Sequence, residues 1–131
     1  MEEERIYCIR GAVCSENNAS DITEKTGLLC KTIFEKNHVA KETIVSIQFT
    51  MTPDLDELNP ATGLRRYFSN NELSNIPLFC SAEPVVKNMK AKVIRTMITV
   101  YLPKDSVIQN IYLNGAETLR PDLAKSKTRN C

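Results

Sequence analysis

Histidine is almost missing from this sequence: the only one is His38, with no second histidine and no nearby cysteine at ligand spacing. Neither a zinc centre nor a histidine general base has the residues it needs, and His38, after Lys36-Asn37, reads as a cation at a helix end. The five cysteines, Cys8, Cys14, Cys30, Cys80 and Cys131, include no Cys-x-x-Cys pair. Their odd number and irregular spacing fit reduced thiols rather than a disulfide frame. There is no glycine-rich phosphate loop and no Ser-His-Asp set. No apolar run approaches membrane-spanning length, and Met1-Glu-Glu-Glu4 is the opposite of a signal-peptide start. The 17 Lys+Arg against 16 Asp+Glu leave a formal charge of +1, too little for a nucleic-acid or anionic-membrane footprint. These absences lead to the expectation of a cytoplasmic protein with no metal site, no membrane and no nucleic-acid partner.

What the chain does have is a run of β-branched and large apolar residues, Lys92-Val-Ile-Arg-Thr-Met-Ile-Thr-Val-Tyr101, without Gly or Pro. It reads as a central strand with both faces largely apolar and both covered. Arg95 is the misfit. A guanidinium held there loses several kcal/mol of hydration, on the order of a buried ion's penalty, unless an anion meets it. Either a protein carboxylate neutralises it, or the strand lines a pocket for an anionic ligand, or the strand lies at a sheet edge with Arg95 in water.

The 131 residues suit one domain over 1–123, with 124–131 a small, polar and mobile tail. Arg5 to Val13 reads as the first strand, with Arg10 directly before Gly11. Ser20 or Asp21 would cap a helix running to about Asn37, whose stripe of Ile22, Thr26, Leu29 and Ile33 packs on the core. Ile44 to Met51 alternates, with Val45, Ile47, Phe49 and Met51 on one face and Ser46, Gln48 and Thr50 on the other. Asn59 and Pro60 open a short helix that carries Arg65 and Arg66 and stops near Asn70-Asn71. Ile76 to Glu83 is a third strand and the run from Lys92 a fourth, after which Pro103-Lys-Asp105 starts one helical turn. Val107 to Leu119 reads as a last strand, with Asn114-Gly115 either a turn or a bulge. The fold class is α+β, a mixed sheet with packing helices, and its open edges invite oligomerisation.

Arg10, Glu83, Arg95 and Tyr112 on strands, Arg65 on the short helix and Arg120 near the end form a set suited to a small, multiply anionic ligand. Without a proton-transferring base, a reaction there must run on orientation and electrostatics. Intrachain salt bridges consuming every charge are the competing explanation.

Cys8-Ile-Arg-Gly-Ala12, Thr52-Pro-Asp-Leu55, Pro60-Ala61 with Arg65, Cys80 with Glu83, Val93-Ile-Arg-Thr-Met-Ile-Thr-Val100, Ile111-Tyr-Leu113 and Leu119-Arg-Pro-Asp-Leu123 occur in that order along nearly the whole chain. Together they resemble the monofunctional, trimeric chorismate mutases of the Bacillus type. The resemblance implies a homotrimer whose sheets form the core of a pseudo-α/β-barrel, with active sites in clefts between subunits. It implies the cofactor-free Claisen rearrangement of chorismate to prephenate, on the route to phenylalanine and tyrosine.

By the same resemblance Arg95 donates to the breaking ether oxygen, Arg10 and Tyr112 hold the side-chain carboxylate, and Glu83 binds the ring hydroxyl, helped by the backbone at Cys80. Arg65, Ala61, Leu78 and Phe79 would come from the adjoining subunit, and Leu119 and Arg120 would form a flap over the mouth. Asn59 and Thr62 stand where the family pattern has phenylalanine and lysine, and Arg66, four residues after Thr62, either stands in for that lysine at the rim or is a solvated surface charge. A catalytically silent trimeric binding module for an aromatic-pathway carboxylate is the alternative. A trimeric enamine or imine hydrolase matches the ordered motifs less well.

Overall fold

A computed structural model of the chain describes residues 3–124. Five strands form one mixed sheet: β1 (Glu4–Cys14), β2 (Ile44–Met51), β3 (Leu78–Ala82), β4 (Val93–Pro103) and β5 (Ile111–Leu113), in the order β3-β2-β4-β1-β5. β4 runs antiparallel to both β1 and β2, while β5 adds parallel to β1 and β3 parallel to β2. The strand around Arg95 is therefore the middle of the sheet, which removes the edge-strand explanation of that arginine.

Among the described residues, only one of its faces is covered along its length. Ile94, Ile98, Val100 and Leu102 are buried beside Ile9 and Val13 under helix α1 (Ala19–Lys36), whose Ile22, Leu29, Cys30 and Ile33 complete the core. On the opposite face Met97 and Tyr101 are exposed, contrary to the expectation of cover on both sides. One corner of that face is closed, because Ala116, Leu119 and Leu123 pack over Ala12, Val93 and Tyr112.

Local chemistry accounts for each departure from the sequence pattern. Asn18, rather than Ser20 or Asp21, caps α1, its side chain accepting from the Asp21 N–H at 2.7 Å. Asp21 is taken up elsewhere, accepting from Lys25 Nζ at 2.7 Å and from the Glu16 N–H at 2.7 Å. The Lys25 hydrogen bond holds the Asp21 carboxyl below its usual range. Register shifts between Ile44 and Ser46 on β2, so Ile44 is buried and Val45 turns outward. The last strand covers Ile111–Leu113 alone. Before it, Gln109 donates its N–H to the Asn37 side chain at 2.8 Å, and Asn110 offers its side-chain oxygen to the Arg10 N–H at 2.8 Å, so side chains replace backbone pairing. After it, Asn114 (φ 52°) and Gly115 (φ 98°) make a left-handed turn into a 3-10 segment, Ala116–Leu119. Pro103 to Ser106 forms a turn, with Asp105 at φ 71°, and no helix. Ala124, expected in the tail, ends a short helix α3 (Pro121–Ala124), and 125–131 lie outside the described residues. No helix among the described residues is long and apolar enough to cross a membrane.

Helix α2 (Pro60–Tyr67) begins where expected, with Asn59 capping through a 2.8 Å bond from the Ala61 N–H. It leans on α1 at Gly27, where an added Cβ would run into the Tyr67 ring. Gly27→Ala gains about 1 kcal/mol of helix propensity but overpacks a contact where extra volume typically costs about 1–3 kcal/mol. The steric loss wins: Gly27→Ala is expected to unfold at lower urea than wild type, and a raised midpoint would show that the α1–α2 contact yields freely.

Candidate active site

The cleft that gathers the charged misfits lies on the open face of the sheet. It has a volume of about 320 Å³, and its walls include Arg10, Gln48, Thr50, Arg95, Tyr112 and Arg120. Register explains the gathering. Arg95 on β4 stands opposite Thr50 on β2 and Ala12 on β1, and Ala12 in turn stands opposite Tyr112 on β5. Arg10 is across from Met97, two positions further along the same face. Gly11 lets β5 come this close, since a Cβ there would meet the Ile111 carbonyl oxygen at 2.8 Å.

Glu83, just past the end of β3, does not line that cleft but binds two residues that do, and its N–H bonds the Met51 carbonyl at 3.1 Å. Its Oε2 accepts from Arg95 Nε at 2.8 Å and from Thr50 Oγ1 at 2.7 Å. The pair is unequally hydrated: the Glu83 side chain is 11% exposed, that of Arg95 42%. A carboxylate thus meets the guanidinium on one side, and a cleft opens on the other. Arg10 has no side-chain ion pair among the described residues. Arg120 is clamped by Asp122 through Nε at 3.1 Å and Nη2 at 2.9 Å. Tyr112 is 8% exposed. A dicarboxylate of modest size would meet two guanidinium groups and a phenol here, with the Glu83 carboxylate beside Arg95 able to accept a hydroxyl.

The remaining expected residues do not line this cleft. Arg65 lines a separate cleft of about 210 Å³ with Phe68, Asn70, Asn71, Leu73 and Ser74. Ala61 is buried in the chain's own core, and Arg66 is exposed on α2. Leu78, Phe79 and Cys80 belong to the edge strand β3, with Phe79 65% exposed. Burial pushes the Cys80 thiol up, away from thiolate and from nucleophile chemistry. Leu119 packs on the corner cluster beside Tyr112. Thr50, Gln48 and Met97 were not singled out from the sequence; the alternation of β2 put Gln48 and Thr50 on one face, but only register put Thr50 against Arg95.

The model of the family described as chorismate mutase type I matches residues 6–123. The chain is 37% identical over 125 residues to chorismate mutase AroH of Bacillus subtilis (strain 168), covering 91% of this chain and 93% of that protein. Its fold is similar to that of a chorismate mutase from Clostridium thermocellum, with a TM-score of 0.76 and 35% identity, covering 86% of this chain and 98% of the other.

The geometry sets a limit on what Arg95 does for stability. Removing one partner of a fully buried pair costs about 3–5 kcal/mol, but a guanidinium this exposed leaves a place that water fills. Arg95→Ala is expected to lower folding stability by about 1 kcal/mol, read from urea unfolding. A loss several times larger would make the pair mainly a structural clamp.

Proposed function

The chain belongs to the type I chorismate mutase family, and from that premise we propose how its cleft turns chorismate into prephenate. The protein is an isomerase. In the reaction the ether C–O bond breaks as a new C–C bond forms within one molecule, so no proton or electron has to be delivered. What the protein supplies is a compact substrate conformation and a counter-charge for the oxygen that becomes negative.

The observation that carries this reading is the one-sided pairing of Arg95. Its Nε is fixed on Glu83 at 2.8 Å, and neither Nη takes part in that bond, so both are left to meet a ligand. We assign the ether oxygen to Arg95, the side-chain carboxylate to Arg10 and Tyr112, and the ring hydroxyl to Glu83 with the Cys80 backbone. Arg120 and Leu119, on the segment that closes the corner, form the flap. A reaction without acid or base catalysis gives kcat little dependence on pH near neutrality.

The assembly read for this chain is a homotrimer with a pseudo-α/β-barrel core. Its support is the open sheet face, where Ile6, Met97 and Tyr101 are 56%, 38% and 43% exposed, and two sheet edges, β3 and β5, left unpaired among the described residues. Arg65 in its own cleft, with Leu78 and Phe79 on β3, would then face the Arg95 cleft of a neighbour, with Arg66 at the rim in place of a lysine at Thr62. The single domain over 1–123 accords with the matched span of 6–123. A cytoplasmic location and a place in phenylalanine and tyrosine synthesis belong to the same reading.

The experiment is to mix purified protein with chorismate and follow its loss together with prephenate formation, from pH 6 to 8. Conversion with a nearly flat kcat is expected, and Arg95→Ala should lose about 100- to 1000-fold in kcat. Binding without conversion would leave only a silent carboxylate-binding module, and two titrations near neutrality would bring back a general base.

Subunit sharing has its own test. Arg65→Ala and Arg95→Ala trimers should each be impaired, and mixed trimers should regain activity where one interface keeps both arginines. Demonstrably mixed trimers with no recovery would mean that Arg65 does not complete a neighbour's cleft.

A further inference from the structure

A guanidinium and a carboxylate left to themselves prefer two parallel hydrogen bonds, using both oxygens and two nitrogens. Arg120 and Asp122 do this, through Nε to Oδ1 at 3.1 Å and Nη2 to Oδ2 at 2.9 Å. Arg95 and Glu83 do not. They share one hydrogen bond, Nε to Oε2 at 2.8 Å, and the same Oε2 accepts from Thr50 Oγ1 at 2.7 Å. Thr50 comes from a third strand, opposite Arg95 in the β2–β4 register, so it approaches the carboxylate from a direction the guanidinium cannot supply.

The difference matters for a ligand. A two-bond fork would spend an Nη donor of Arg95 and the second oxygen of Glu83 on each other, and both groups would reach the cleft with less to offer. With Oε2 held from two sides, the carboxylate cannot rotate into the fork. Oε1 and both Nη groups stay available.

We propose that Thr50 is a positioning residue that holds Glu83 in one-point contact with Arg95 and so keeps the donors and the acceptor of the cleft free for the substrate. This rests on the chorismate mutase reading for its kinetic consequence, though not for its geometric one. A valine at position 50 keeps the β-branched shape and removes only the hydroxyl; a serine keeps the hydroxyl.

The test joins a crystal structure with kinetics. In Thr50→Val, Glu83 is expected to turn into a two-bond fork with Arg95. Its kcat should fall about 10- to 100-fold, the scale of one hydrogen bond to a charged group, with a smaller rise in KM, because Glu83 loses the oxygen assigned to the ring hydroxyl while Arg10 and Tyr112 are untouched. Thr50→Ser should keep the one-point contact and a kcat near wild type. A Thr50→Val structure that keeps the one-point contact overturns the proposal, whatever its kcat, and so does a fork that leaves kcat intact. If Thr50→Val fails to fold, Thr50→Ala answers the same structural question. If the wild type does not convert chorismate, the functional reading fails, and the variant structures still decide whether Thr50 sets the pairing.

Discussion

A guanidinium in the middle strand of a five-stranded sheet is the constraint around which the remaining structure is arranged. Arg95 can stand there because Glu83 meets it at 2.8 Å, and Glu83 can do so because β3 adds parallel to β2 and carries the carboxylate just past the strand's end. The parallel β3, the Thr50 hydroxyl and the opening beside Arg10 and Tyr112 all follow from accommodating one charge. Its exposure of 42% keeps the arrangement affordable to folding and still reachable by a ligand.

The same sheet divides the molecule's tasks by face. One face, with Ile9, Val13, Ile94 and Ile98 against α1, supplies the hydrophobic stability. The other carries Arg10, Arg95, Met97 and Tyr101, is covered among the described residues only at the corner near Tyr112, and is the face that lines the cleft. With α1 and α2 packed on one side, most of the other side of the sheet is left for the cleft and, in the proposed trimer, for assembly. Arg65, in a cleft of its own, and the exposed Phe79, paired in register with Gln48 at the cleft's margin, are the residues proposed to serve a neighbour's site.

Legibility in the sequence followed the physics of each feature. The β4 strand, the α1 stripe and the Asn59-Pro60 helix start were readable because periodicity and capping are local. Arg10, Glu83, Arg95 and Tyr112 stood out because charge or a phenol inside an apolar run is locally anomalous. What could not be read was register. Nothing local places Thr50 opposite Arg95, moves Val45 outward through a bulge, or replaces the start of the last strand by the side chains of Asn110 and Asn37. The cover expected on both faces of β4 failed for a related reason: an apolar residue such as Met97 looks the same whether its own chain or another molecule is to cover it.

Arg95 is assigned a two-ended task, with Nε on Glu83 and Nη on the substrate oxygen, and lysine can keep the charge without keeping both ends. The most direct measurement is therefore kcat for Arg95→Lys, with folding checked by urea unfolding. A loss approaching that of Arg95→Ala is expected, because a single ammonium held by Glu83 is drawn away from the ether oxygen. Near-wild-type turnover in Arg95→Lys would contradict the two-ended role and reduce Arg95 to a source of positive charge.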